Sequence, residues 1–119
     1  LYRRDRALAL RVREHLRAAL PDQPGLPAIA RRLFLSPRTL HRRLEEEGTS
    51  FRAVKDSLRR ELATEWLTKT RRPLGRIGAD LGFADAAAFY RAFTAWVGSG
   101  PRDYRKRHGQ AGAAPVLPT

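Results

Sequence analysis

Cysteine is absent from this 119-residue chain, and so is methionine. The first absence excludes disulfides and thiolate metal sites. The second extends to position 1, which is Leu, and points to a fragment of a longer protein whose missing N-terminal part carries a regulatory or enzymatic function. Long apolar runs are also missing, so no transmembrane helix is expected, and no charged-then-apolar leader suggests secretion. His15, His41 and His108 are dispersed and make no metal-ligand spacing. No Gly-rich loop matches a phosphate-binding motif, and no nucleophile has an evident His and carboxylate partner. Neither a metal nor another cofactor is expected, and catalysis has little support. Acidic residues are the scarce charge: 12 Asp+Glu stand against 24 Lys+Arg, a formal net charge of +12. That excess points to a polyanionic partner, nucleic acid first and an anionic membrane surface second. Arg greatly outnumbers Lys; a GC-rich genome produces that bias, and Arg also suits bidentate contact with guanine and phosphate.

What the chain does contain is a repeat. Ala28-Ile29-Ala30-Arg31-Arg32-Leu33, Phe34-Leu35-Ser36 and Pro37-Arg38-Thr39-Leu40-His41-Arg42-Arg43-Leu44 form one copy. Arg76-Ile77-Gly78-Ala79-Asp80-Leu81, Gly82-Phe83-Ala84 and Asp85-Ala86-Ala87-Ala88-Phe89-Tyr90-Arg91-Ala92-Phe93 form the other. Ile29 aligns with Ile77, Leu33 with Leu81 and Leu35 with Phe83 at an offset of 48; Leu40 aligns with Phe89, Arg42 with Arg91 and Leu44 with Phe93 at an offset of 49. One extra residue at the second turn explains the step. Each copy reads as a short helix, a tight turn and a second amphipathic helix, the outline of a helix-turn-helix whose second helix lies in a DNA major groove.

The rest of the chain reads as helix as well. Asp5 is the expected N-cap of a first helix ending near Leu20, with Leu8, Val12, Leu16 and Leu20 on its buried side. Pro21, Pro24 and Gly25 break it. Pro27 suits the first turn of a second helix ending near Leu33. Ser36-Pro37 opens a third, which runs to about Glu47 and stops at Gly48. Thr49 or Ser50 caps a long fourth helix with Phe51, Val54, Leu58, Leu62 and Trp66 on its buried side; it reaches about Lys69 and is halted by Pro73. At 1.5 Å per residue it is about 30 Å long, close to the turn of B-DNA at about 34 Å, so it is expected to hold two reading heads for successive major grooves. A fifth helix runs from about Leu74 to Leu81 and ends at Gly82. Asp85 caps a sixth reaching about Val97, and Pro101 opens a seventh through Tyr104 and Arg107. Ile29, Leu33, Leu40, Leu44, Ile77, Leu81, Phe83, Phe89 and Phe93 are expected in the core by periodicity, with Trp66 and Trp96. No strand signal stands out. The tail from Gly109, rich in Gly, Ala and Pro and without charge or periodicity, is expected to be disordered.

In the second copy, Ile77-x-x-x-Leu81-Gly82-Phe83-x-Asp85-x-x-x-Phe89-x-Arg91-x-Phe93 is followed by Gly98, Pro101 and Tyr104-Arg105. In the first, Ser36-x-Arg38-Thr39-Leu40-x-Arg42-Arg43-Leu44 is followed by Gly48-Thr49-Ser50-Phe51. This pattern resembles the signature of the AraC/XylS family of bacterial transcription regulators, over about residues 8–107. The resemblance implies an all-α DNA-binding domain of seven helices over residues 1–108. Its two homeodomain-like helix-turn-helix lobes, at about 5–48 and 72–108, are joined by a linker helix at about 50–70. It also implies a bacterial, cytoplasmic, nucleoid-associated protein that is not an enzyme. Its partner is double-stranded promoter or operator DNA, and an effector acts only through an N-terminal effector or dimerisation domain absent from this fragment. Three positions depart from the pattern. Gly78 stands where Ala is usual, which weakens the fifth helix by roughly 1 kcal/mol. Gly100 replaces the usual Ser or Thr as a cap. Ala86-Ala87-Ala88 opens the second recognition helix where relatives carry polar residues.

Carried over position by position, the resemblance assigns base contact to Arg38, His41 and Arg42 on the third helix and to Ala86, Ala87, Tyr90 and Arg91 on the sixth. Arg38 or Arg42 is expected to be bidentate to guanine, whereas alanine offers a base edge only van der Waals contact. Arg91 has a structural alternative, holding Asp80 or Asp85. Phosphate contact is assigned to Arg31, Arg32, Ser36, Thr39, Arg43, Thr49, Ser50, Arg102 and Lys106. Glu45-Glu46-Glu47 reads either as a solvated helix end or as a surface that is repelled from DNA or turned to RNA polymerase. The contrast between the two recognition helices suggests that the first lobe specifies sequence and the second anchors. Two other functions stay open: the DNA-targeting module of a DNA-repair enzyme, and a non-specific basic nucleic-acid-binding protein.

Overall fold

The computed structural model describes residues 6–109, and all of the structure given below concerns them. It contains α1 (Ala7–Ala19), α2 (Leu26–Arg32), α3 (Pro37–Glu46), α4 (Phe51–Lys69), α5 (Leu74–Asp80), α6 (Ala86–Val97) and α7 (Pro101–His108), and no strand among the described residues. The chain forms two compact units that divide within α4, after Leu58. The expected disordered tail lies outside the described residues beyond Gly109.

In the first unit α1, α2 and α3 pack on one another. Leu8, Val12 and Leu16 of α1, Ile29 and Ala30 of α2, Leu33, and Leu40 and Leu44 of α3 are buried, together with Val54 and Leu58 of α4. In the second unit α5 packs on α6 and α6 on α7. Its core is Leu62, Ala63 and Leu67 of α4 with Ile77, Leu81, Phe89 and Phe93. The aromatic rings run in series, Phe83–Phe89 at 5.4 Å, Phe89–Phe93 at 5.9 Å and Phe93–Tyr104 at 5.3 Å between centroids. Such tilted and edge-on pairs add to simple area burial.

The helix boundaries follow from local chemistry. Ser36 Oγ accepts the Thr39 N–H at 3.1 Å, and Pro37 occupies the first turn of α3. Ser50 Oγ accepts the Ala53 N–H at 3.0 Å and Asp85 Oδ1 the Ala88 N–H at 2.8 Å. Each satisfies a helix donor that has no partner within the helix. The α2–α3 and α5–α6 turns are Schellman motifs. Leu35 N–H reaches Ala30 O and Phe34 N–H reaches Arg31 O, just as Phe83 N–H reaches Gly78 O and Gly82 N–H reaches Ala79 O. The residue in left-handed conformation is Phe34 (φ 60°) in one and Gly82 (φ 89°) in the other.

Several expectations need correction. Asp5 lies outside the described residues, and the N-cap of α1 is Arg6, without a side-chain cap bond. The free N–H groups of Leu8 and Ala9 are instead taken by the Glu47 carboxylate, at 3.2 and 2.9 Å. α4 ends at Lys69, four residues before Pro73, and its end is finished by side chains as well. There the Thr70 hydroxyl donates to Trp66 O at 2.6 Å, and the Arg105 guanidinium donates to Leu67 O, Trp66 O and Thr70 O at 3.0, 3.2 and 3.3 Å. Trp66, Phe83 and Trp96, expected in the core, are half-buried. Arginines cover these rings: Arg72 Cζ lies 3.9 Å from the Trp66 centroid, and Arg59 Cζ lies 4.1 Å from that of Phe83 and 5.9 Å from that of Trp96. A ring face of this kind attracts a cation without leaving the protein surface. Gly78 is not simply a weak spot in α5. It is buried, and a β-carbon there would stand 2.9 Å from Phe89 Cβ, so the missing side chain is what lets α6 approach.

Candidate nucleic-acid interface

Burying Leu40 and Leu44 turns the opposite side of α3 outward. Arg38, His41, Arg42 and Arg43 are all exposed. Residues 38, 41, 42 and 45 share one face because the helical repeat brings i, i+3, i+4 and i+7 together. Arg38 pairs with no described residue. Arg42 Nη1 donates to Glu46 Oε2 at 3.1 Å, and His41 Nε2 lies 3.4 Å from Glu45 Oε2. The acidic run is therefore not a merely solvated end. Glu45 and Glu46 face two of the expected readers, and Glu47 caps α1 from 38 and 39 residues away.

The α6 surface differs. Burial of Phe89 and Phe93 leaves Ala86, Ala87, Tyr90 and Arg91 exposed. The two alanines carry no hydrogen-bonding atom. Tyr90 is 53% exposed, but its ring lies across Gly100, the N-cap of α7; a β-carbon at Gly100 would overlap the ring and its hydroxyl. Arg91 holds neither of the carboxylates offered to it as a structural role. Asp80 is paired with Arg72 at 3.3 Å, and Asp85 caps α6. Arg91 stands exposed and unpaired with any described residue.

The expected phosphate ligands divide by exposure. Arg31, Arg32, Arg43, Arg102 and Lys106 are exposed. Thr39, Thr49 and Ser50 are half-buried, and Ser36 is exposed. Ser36 uses its hydroxyl locally: it accepts the Thr39 N–H and donates to Thr39 Oγ1 at 2.9 Å. Arg105, which had no role assigned from sequence, is a tertiary cap. Burial pushes its guanidinium pKa below the ordinary arginine value, yet an arginine begins so far above neutrality that it stays charged.

No group of three or more His, Asp or Glu among the described residues is arranged to hold a metal ion, and no described helix is long and apolar enough to cross a membrane. The family model described as "Helix-turn-helix domain" matches residues 29–107. The chain is 44% identical over 99 residues to the ornithine utilization regulator of Pseudomonas aeruginosa, covering 83% of this chain and 29% of that protein. It thus spans less than a third of that relative's length. In fold it is similar to a DNA-binding transcriptional dual regulator from Escherichia coli K-12, with a TM-score of 0.79, 23% identity, and 91% and 95% of the two chains covered. It is likewise similar to the DNA-binding domain of the global transcriptional factor AdpA, solved in complex with a target DNA, with a TM-score of 0.69, 23% identity, and 85% and 88% covered. The paired helix-turn-helix lobes, the outward-facing second helix of each and these likenesses lead to one conclusion: the chain belongs to the AraC-type helix-turn-helix DNA-binding domains, the non-enzymatic modules with which regulators of that family bind DNA sequence-specifically.

Proposed function

We propose that this domain directs a transcription regulator to its operator, with α3 as the principal reader and α6 chiefly as an anchor. Arg38, His41 and Arg42 read base edges, with an arginine bidentate to guanine O6 and N7. Ala86 and Ala87 allow close approach without discriminating, and Tyr90 and Arg91 complete the second contact. Arg31, Arg32, Arg43, Arg102 and Lys106 meet phosphates, and counterion release makes the affinity fall steeply with salt. Thr39, Thr49 and Ser50 add contacts close to helix starts, where unpaired N–H groups favour anions, while the Ser36 hydroxyl proton is already engaged by Thr39. The AdpA domain of the same fold was solved on DNA, which supports a duplex rather than RNA as the ligand.

The observation that carries this reading is the contrast between the two exposed faces. One presents three long polar side chains at reading positions; the other presents two alanines, a tyrosine laid over Gly100 and a single arginine, Arg91. Selection of bound duplexes from a random library at near-physiological salt tests it. The expected result is one strongly informative block and a weaker one about a helical turn, ~10 base pairs, away. Two equally informative blocks would overturn the division of labour. A pool without any motif, bound only at low salt, would overturn base reading by α3.

A further inference from the structure

We propose that Glu46 is a positioning residue for Arg42, and that it selects base contact over phosphate contact; the inference rests on the reading that Arg42 faces a base. The two side chains are one turn apart on α3, with Nη1 to Oε2 at 3.1 Å. Both are more than half exposed, so the pair adds little to the stability of the fold. Its consequence lies at the interface. A guanidinium has five N–H donors. Holding one on a carboxylate leaves the remainder of the planar fork for guanine O6 and N7, and fixes the arm along the reading face of the helix. Reaching sideways to a phosphate requires Arg42 to leave Glu46, and it brings an uncompensated carboxylate close to the phosphate backbone. Glu46 therefore penalises the phosphate-bound arrangement more than the base-bound one. His41 and Glu45, 3.4 Å apart one position earlier, repeat the arrangement. Arg91, at the α6 position aligned with Arg42, has no such partner among the described residues, in keeping with an anchoring role.

The test uses the present chain with Glu46→Gln, Arg42→Ala and the double variant. Each is titrated at several salt concentrations against the selected duplex, the same duplex changed at the base pair that Arg42→Ala identifies, and a random duplex. Glu46→Gln preserves shape and removes the charge. It is expected to bind random duplex more tightly, to steepen the salt dependence there by about one phosphate contact, and to lower discrimination at that base pair by about two- to fivefold, the range an exposed ion pair sustains. In the Arg42→Ala background, Glu46→Gln should leave discrimination unaltered. If Arg42→Ala relaxes discrimination but Glu46→Gln does not, or if Glu46→Gln shifts all three duplexes by one factor, the positioning role is overturned while base reading stands. If Arg42→Ala itself weakens all three duplexes equally, base reading by Arg42 fails and the positioning role fails with it. Unchanged thermal unfolding of Glu46→Gln separates these outcomes from a folding defect.

Discussion

The two lobes follow one plan with different side chains, and the differences are paired. Ala30 and Leu40 in the first lobe align with Gly78 and Phe89 in the second, and all four are buried. Where the second lobe carries the larger residue on its recognition helix, it carries the smaller one on the helix beneath. The Gly78–Phe89 geometry shows why: a β-carbon on Gly78 would stand 2.9 to 3.2 Å from Phe89 Cβ, Cγ and Cδ2. The turn residues show a second difference. Gly82 takes the left-handed conformation at no steric cost, whereas Phe34 takes it with a β-carbon and is itself 94% exposed. Both lobes also borrow a side chain from a distant position to finish a helix end. Glu47 accepts at the N-terminus of α1 and Arg105 donates at the C-terminus of α4, each with the sign that the helix dipole favours. A repeat thus conserves backbone positions and volumes, while the residues filling them vary in compensation.

That comparison can be broken most forcefully in the cores. Phe89→Ala is expected to cost about 3–5 kcal/mol and Leu40→Ala about 2–5 kcal/mol, since each leaves a cavity that a packed lobe cannot fully close. Urea unfolding monitored by circular dichroism measures both, and a stability change below 1 kcal/mol for either would refute its core placement. Arg105→Ala should follow, at about 1.5–3 kcal/mol, because three carbonyls lose a charged donor. Hydrogen exchange should rise first at the end of α4 if the cap is local, and an unaltered exchange pattern would argue against the cap.

The reading positions sharpen the functional side of the contrast. Arg42→Ala is expected to weaken the cognate site by about 1–3 kcal/mol and to relax preference at one base pair. Arg91→Ala should lower affinity more evenly across sequences. Titration against single-pair variants distinguishes them, and equal selectivity losses for both would remove the asymmetry between lobes. Smaller effects probe the paired volumes and the turn. Gly78→Ala gains intrinsic helix propensity of about 1 kcal/mol but overpacks against Phe89 at a cost of about 1–3 kcal/mol, for an expected net loss of about 1 kcal/mol. Combined with Phe89→Leu, which recreates the first lobe's pair, the loss should be less than the sum of the single variants, and simple additivity would deny the compensation. Phe34→Gly should raise stability by about 1 kcal/mol, because it relieves the left-handed conformation and gives up no buried surface. A fall in the unfolding midpoint would show that the exposed ring contributes to the fold after all.

The sequence by itself determined the helices and their order. Ser36, Ser50 and Asp85 as caps, Pro37 and Pro101 in first turns, and Gly48, Gly82 and Gly98 in left-handed stops all act within a few residues of where they stand. The apolar spacing of Leu40 with Leu44 and of Phe89 with Phe93 likewise set which side of each recognition helix faces outward. Only the tertiary structure decided what depends on distant partners. The roles of Glu47 and Arg105 at helix ends, the arginines covering Trp66 and Phe83, and the close approach that requires Gly78 join residues that periodicity cannot connect. Tyr90 across Gly100 belongs with them, for it takes a reading-position side chain toward α7. Local backbone chemistry is written in neighbouring residues, whereas the pairing of a charge, a ring or a missing β-carbon with its partner exists only once the helices have packed.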